Sequence, residues 1–180
     1  MPSLAQRRVV HLSAGSGVAK LLPAAAYYVL RGDAVVMQAA GAVIGARPSE
    51  IACRAVSGPT WSALWLGPDE QMLRGPLAEQ ANFEAALSTA LSTLPHSLVD
   101  VSHRQVALEV SGPRAAVLLN TACPLDLDLG AFPVSMVTRT VFAKAEIILW
   151  RKAVDVFHVD VWRSYANYLT EYLAIAARNS

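Results

Sequence analysis

Charge is what this 180-residue chain has least of. Lys, Arg, Asp and Glu make up 16% of it and nearly cancel, leaving a formal net charge of +1. An average soluble domain carries roughly 25% charged residues. A near-neutral chain has no field to hold a phosphate backbone, which excludes non-specific nucleic-acid binding. Cysteine is nearly absent. Cys53 and Cys123 stand far apart with no CxxC spacing, so neither a disulfide framework nor a zinc site is expected. Two small buried thiols in a reducing compartment fit instead. Long apolar runs are missing too. The longest, Leu21 to Leu30, is interrupted by Pro23 and is too short to span a bilayer. Arg7 and Arg8 are not followed by the unbroken apolar stretch of an export signal. The expected location is the cytoplasm, away from membranes.

What the chain has in abundance is apolar side chains, 54% of its residues, which excludes intrinsic disorder. The length suits one domain, or two small intertwined lobes, with a substantial core. A surface this poor in charge shows apolar area, a first sign of a partner covering one face.

Residues 1–24 lack periodicity and read as an arm or irregular lead-in. Beyond about residue 50 the pattern sharpens. Ile51 to Ser57 and Thr60 to Leu66 read as strands parted by Gly58-Pro59, and Gln71 to Arg74 follows the turn Gly67-Pro68-Asp69-Glu70. A helix starts after Pro76, with Leu77, Phe83, Leu87, Leu91 and Leu94 along one side. The second half repeats this grammar. Val106, Leu108 and Val110 alternate with polar residues, and Gly112-Pro113 opens a short helix that runs to about Thr121. Met136 to Ala143 and Glu146 to Trp150 form a strand pair. Phe157, Val159 and Val161 face one way on the next strand, with His158 and Asp160 on the other, read as a solvated or interfacial face. Ser164, as N-cap, opens a final helix carrying Tyr165, Leu169, Tyr172, Leu173 and Ala176 on one side. Leu64-Trp65 recurs as Leu149-Trp150, and Ala81-Asn82-Phe83 as Ala166-Asn167-Tyr168, both 85 residues on. The expected fold is α+β: two similar strand-rich units with antiparallel sheets and helices packed on one face. The domain layout is residues 1–24 as lead-in and 25–180 as one domain, built from two ββα-type halves, 25–97 and 98–180.

Residues that tempt a catalytic reading do not complete one. Ala14-Gly-Ser-Gly-Val-Ala-Lys20, with Asp33 further on, has Lys20 where a dinucleotide site needs glycine, and Pro23 leaves no room for the phosphate-binding helix. The run also lacks the GK[ST] ending of a phosphate loop. Asp100, Ser102 and His103 are triad residue types, but neighbours on a strand point to opposite faces, and no GxSxG elbow is present. His11, His96, His103 and His158 form no metal-binding pair. No catalytic, cofactor or metal residue is therefore assigned. Trp61 and Trp65 share a strand face; core packing is the default, and interface anchoring the alternative. Arg139 and Arg163 are placed at strand ends, as donors either to an internal acid such as Asp100 or Asp126 or to a partner across an interface.

A family likeness rests on particular segments. Ser62-Ala-Leu-Trp-Leu-Gly-Pro-Asp-Glu70, Val99-Asp-Val-Ser-His-Arg104, Leu108-Glu-Val-Ser-Gly-Pro-Arg-Ala-Ala116, Cys123-Pro-Leu-Asp-Leu127, Arg139-Thr140 and Val161-Trp-Arg-Ser-Tyr-Ala166 together resemble the gamma subunit of heterotetrameric sarcosine oxidase, over about residues 27–175. Gln71 departs from the pattern, which has an aromatic there, and residues 1–24 have no counterpart in it. The resemblance implies a fold like the folate-binding domain of glycine-cleavage aminomethyltransferases. It implies a complex of sarcosine catabolism that oxidises sarcosine to glycine, passes the methyl carbon to tetrahydrofolate and reduces oxygen to peroxide. FAD, FMN, NAD and tetrahydrofolate would sit in larger alpha and beta subunits, beside a small delta subunit, leaving this chain a structural role without a cofactor. The folate-dependent transferases carry aspartates after a glycine-rich turn; the matching turn here, Ala143-Lys144-Ala145-Glu146, has neither residue. Two alternatives stay open: the same role in a complex acting on another N-methyl amino acid such as N-methylglutamate, or a free folate-binding, methyl-transferring protein.

Overall fold

The computed structural model describes residues 9–11 and 18–178. The chain divides into two compact units. One is Ala24–Arg104, and the other joins the described residues through Pro23 to those from Gln105 onward. In chain order the strands open with β1 (Val9–His11) and β2 (Val18–Leu21), which belong to the second unit.

The first unit then runs β3 (Ala25–Arg31), α1 (Ala34–Ile44), β4 (Ala55–Ser57), β5 (Ser62–Gly67), β6 (Glu70–Pro76), α2 (Gln80–Ala90) and β7 (Ser97–Asp100). Its sheet has the order β4-β5-β6-β3-β7 with every pairing antiparallel. Asp33 starts α1 by accepting from the backbone N–H groups of Val35 and Val36 at 2.9 and 3.0 Å. Gly45 ends it in the left-handed region at φ 79, where a side chain would be strained. One face of β3 and β6 sends Tyr28, Leu30 and Leu73 under the helices, where they meet Val36, Ile44, Phe83 and Leu87. Each such side chain removed from water contributes about 1.5–3 kcal/mol.

The second unit continues with β8 (Gln105–Ser111), α3 (Ala115–Asn120), β9 (Val137–Phe142), β10 (Ala145–Ala153), β11 (Val156–Trp162) and α4 (Ala166–Arg178). Its sheet, β1-β2-β8-β11-β10-β9, is antiparallel throughout. Leu108, Val110, Leu149, Phe157 and Val159 meet Leu119, Leu169 and Leu173 beneath the helices.

The two units are built on one plan. A one-turn 3-10 segment follows the hairpin in each, starting at Leu77 and, 86 residues later, at Arg163. Both hairpins carry a bulge, between Trp65 and Gly67 in one and between Arg151 and Ala153 in the other. The repeat is thus 86 residues, one more than the sequence echo. Trp150 therefore takes the place of Leu64, opposite His158 as Leu64 is opposite Met72. Phe83 is matched by Leu169 rather than Tyr168, Leu87 by Leu173 and Leu91 by Ala177, all buried. In a sheet, one residue of slip reverses the face, so the two echoing tryptophans point to opposite sides.

Other expectations meet the structure unevenly. Residues 1–8 and 12–17, including Gly15 and Gly17, lie outside the described residues. Lys20 of that glycine-rich run stands in β2, paired with Glu109, and Asp33 is a helix cap. Ser164 lies inside the 3-10 turn and does not cap α4, whose lead-in is positioned by β11 instead. β11, which lies between β8 and β10, is buried on both faces over most of its length. Among the described residues, no helix is long and apolar enough to cross a membrane.

Gly75 lies on β6 against the buried indole of Trp61, so a Cβ there would run into the ring. Gly75→Ala should lower stability by about 1–3 kcal/mol, as overpacked cores do. Chemical denaturation followed by tryptophan fluorescence would check this, and a variant as stable as the parent would contradict the packing.

Candidate functional site

The triad-like residues at the end of β7 are used locally. The Ser102 hydroxyl accepts from the Tyr27 N–H at 2.9 Å, and Asp100 accepts from the Ser102 N–H at 2.8 Å and from Gln80 Nε2 at 2.9 Å. Burial acts to raise the Asp100 pKa, but hydrogen bonds from Ser102 and Gln80 and the charge of His103 outweigh it, holding the carboxyl below its ordinary value. These bonds tie a turn to β3. Next to them, the Tyr28 hydroxyl donates to Glu84 at 2.9 Å. Burial, reinforced by the Glu84 charge and its hydrogen bond, pushes the Tyr28 pKa up to about 12 against the opposing bond to Gln80.

His158 and Asp160 are a buried pair on β11, Nε2 to Oδ1 at 2.9 Å, each 1% exposed. They were expected on a solvated or interfacial face; the structure buries that face of β11 too, with Trp150 standing beside His158 on the neighbouring strand. The Trp150 indole lies 5.8 Å from the imidazole. A carboxylate orienting an imidazole is the arrangement of a general base, but here it is closed to solvent. Among the described residues, no three His, Cys, Asp or Glu side chains converge as a metal site. Cys123 is buried and Cys53 half-buried, both as free thiols.

Sequence reasoning missed Arg151. It is 4% exposed, donates from Nε to the Val154 carbonyl at 3.0 Å and from Nη1 to the carbonyls of Leu127 and Phe132, and lies 4.6 Å over the Phe157 ring. It pins the irregular segment between α3 and β9 to the hairpin. An arginine in a strand reads as an exposed residue, and no neighbouring residue type signals otherwise.

The four residues considered for an interface fall in different environments. Trp61 is 4% exposed and stacks on Phe83 at 3.5 Å with the rings 6° apart. Trp65 is half-buried on β5. Arg139 is exposed in the middle of β9, opposite Ile148, and Arg163 is exposed just past the end of β11. The turn between β9 and β10 places Ala143 at φ 51, in the region where glycine is favoured. The clefts of the first unit include these two. One, of about 320 Å³, lies beside Ile44, Pro59, Trp61 and Phe83; the other, of about 270 Å³, lies beside Met37, Pro48, Trp65 and Gln71.

Comparison with known proteins adds the remaining context. Residues 31–179 match a family described as sarcosine oxidase, gamma subunit family. A curated relative, sarcosine oxidase subunit gamma of Corynebacterium sp. (strain P-1), is 32% identical over 126 residues, covering 70% of this chain and 61% of the relative. The chain thus spans about three fifths of that relative's length. A chain of the heterotetrameric sarcosine oxidase from Corynebacterium sp. U-96, solved with pyrrole 2-carboxylate, superposes with a TM-score of 0.86 at 23% identity, covering 94% of this chain and 88% of that one. The glycine cleavage system aminomethyltransferase T from Bartonella henselae superposes with a TM-score of 0.65 at 16% identity, covering 88% of this chain and 48% of the other. These two superpositions show a shared fold.

The Tyr28 network has a signature in the pH dependence of stability. A folded-state pKa above the unfolded value of about 10 means the folded chain holds the phenolic proton more tightly. That contribution is fully present below pH ~10 and is lost as the pH rises from ~10 towards ~12. Tyr28→Phe should flatten the fall in stability over this window relative to the parent. Urea midpoints measured from pH 8 to 12 would check it, and parallel curves for the two proteins would contradict it.

Proposed function

The chain belongs to the sarcosine oxidase gamma subunit family, and on that premise we propose that it is a non-catalytic, structural subunit of a heterotetrameric sarcosine oxidase. The complex oxidises the N-methyl group of sarcosine, leaving glycine. Tetrahydrofolate takes the methyl carbon, and oxygen takes two electrons to become peroxide. FAD, FMN, NAD and the folate reside in the larger alpha and beta subunits, and a small delta subunit completes the set, in the cytoplasm. The observation that carries this reading is the family match over residues 31–179.

The structural role has local support. The Ala143-Lys144-Ala145-Glu146 turn offers no aspartate to a folate-bound carbon. The one imidazole–carboxylate pair described above is sealed inside the sheet. Arg139, Arg163 and Trp65 are the side chains we propose for contact with the other subunits, while Trp61 is given to the core.

Expression with the co-encoded larger subunits should yield one complex that carries flavin and forms peroxide when given sarcosine. Faster turnover of N-methylglutamate would move the chain to the related dehydrogenase-type complex. The purified chain alone, titrated with FAD, FMN, NAD and tetrahydrofolate by calorimetry, should give no saturable heat. Binding of any of them near one equivalent at a micromolar Kd would overturn the structural role.

A further inference from the structure

We infer that the irregular segment before β9, together with the turn of the β10–β11 hairpin, forms a docking surface for a basic, Lys- or Arg-bearing segment of a larger subunit. This rests on the reading of the chain as a subunit. Residues 121–136, between α3 and β9, carry no helix or strand. Irregular segments longer than about 12–15 residues are uncommon in compact folds, and ordered ones are commonly binding loops. This one is held in shape by the buried side chain of Arg151, which donates to the carbonyls of Leu127 and Phe132 and, at the hairpin turn, to that of Val154. The Arg151 backbone adds two bonds, accepting from the Ser135 N–H at 2.8 Å and donating to the Met136 carbonyl at 2.9 Å. A guanidinium is small, so the residues beside those three carbonyls stand together at one end of the sheet, wholly within the second unit. A loop fixed beforehand loses little freedom when a partner binds it.

The chemistry of this surface selects the occupant. Leu129, Val134 and Val154 are 44%, 40% and 53% exposed. Asp126, Asp128 and Asp155 lie near them in the chain and are exposed as well. Asp126 and Asp128 each accept from a loop N–H, those of Asp128 and Gly130, at 2.9 and 2.8 Å. None of the three carboxylates enters an ion pair with a described residue. From Ala115 to Thr138 the sequence has no Lys, Arg or His. Arg151 is taken up by carbonyls, and the Lys152 ammonium lies 5.1 Å over the Trp150 ring, on the other side of the strand. The surface is therefore anionic, with apolar side chains exposed beside its carboxylates. Nucleic acid and anionic lipid are repelled by it. A metal ion would leave the apolar side chains uncovered, and among the described residues no three carboxylates converge on one point. A second copy docking through the same face would set carboxylate against carboxylate. A peptide segment that mixes Lys or Arg with apolar residues answers both features, its cations meeting the aspartates while its apolar side chains cover the leucine and valines.

The test uses the assembled complex. A triple variant, Asp126→Asn with Asp128→Asn and Asp155→Asn, keeps the side-chain oxygens that hold the loop and removes the charge. It should weaken retention of the chain by about tenfold at low salt, and flatten the loss of retention that the parent shows as salt is raised. Leu129→Ser should weaken retention at every salt concentration. Circular dichroism melting of each variant chain establishes that it folds. Independently, benzoylphenylalanine at Val154 of the otherwise unchanged chain should, on irradiation of the complex, form an adduct with a segment of a larger subunit that carries Lys or Arg. Parent-like retention and salt dependence of the triple variant would overturn the inference while leaving the subunit role intact. An adduct confined to this chain, or on a partner segment without Lys or Arg, would do the same. A parent chain that fails to assemble at all would overturn the subunit role, and the inference with it.

Discussion

The register of two bulged hairpins, β5–β6 and β10–β11, decides which side chains become core in this protein. In each, the strand after the bulge sends alternate residues under a helix: Leu73 with its neighbours in one unit, and Phe157, Val159 and Val161 in the other. The same strand runs without a loop into a one-turn 3-10 segment, and that turn delivers the covering helix at a set phase. Phe83 and Leu87, like Leu169 and Leu173, therefore land on the sheet. A slip of one residue would turn these faces over and place Arg74 or His158 among the leucines. The bulges, the 3-10 turns and the helix phase recur together at an 86-residue interval, which marks them as one device used twice.

A scaffold of this kind uses its polar groups for structure. Asp33 caps a helix, Ser102 ties a turn to β3, and Arg151 holds an irregular segment through backbone carbonyls. His158 and Asp160 are hydrogen-bonded to each other inside a sheet. Charged residues are only 16% of the chain, in keeping with the proposed place among other subunits.

Much of the fold was legible in the sequence where one face of an element is wet. β8 alternates, and α2 carries Phe83 and Leu87 on one side; each was readable from period and punctuation. β3 and α1 were not. β3 is buried on both faces over most of its length, which erases alternation. α1 reads Ala-Val-Val-Met-Gln-Ala-Ala-Gly-Ala-Val-Ile, apolar almost all round, so no stripe stands out. Its caps, Asp33 and Gly45, were the available signals. The repeat was visible but one residue out, because matching residue types at Trp65 and Trp150 drew the alignment away from matching positions. The buried pair on β11 was misplaced for a related reason: polar residues in a strand read as solvent-facing, and that β11 is buried on both faces shows only in the structure. Trp65 was legible as an interface candidate by type, while the segment that Arg151 holds between α3 and β9 needed the structure.

The central claim, that the chain is a cofactor-free part of a larger oxidase, is tested most directly by native mass spectrometry of the intact complex. Collisional release of this subunit should give a bare 19.2 kDa chain, with FAD, FMN and NAD masses staying on the larger subunits. A released chain that retains the mass of any of these cofactors, or a complex from which the chain is absent, would contradict the account.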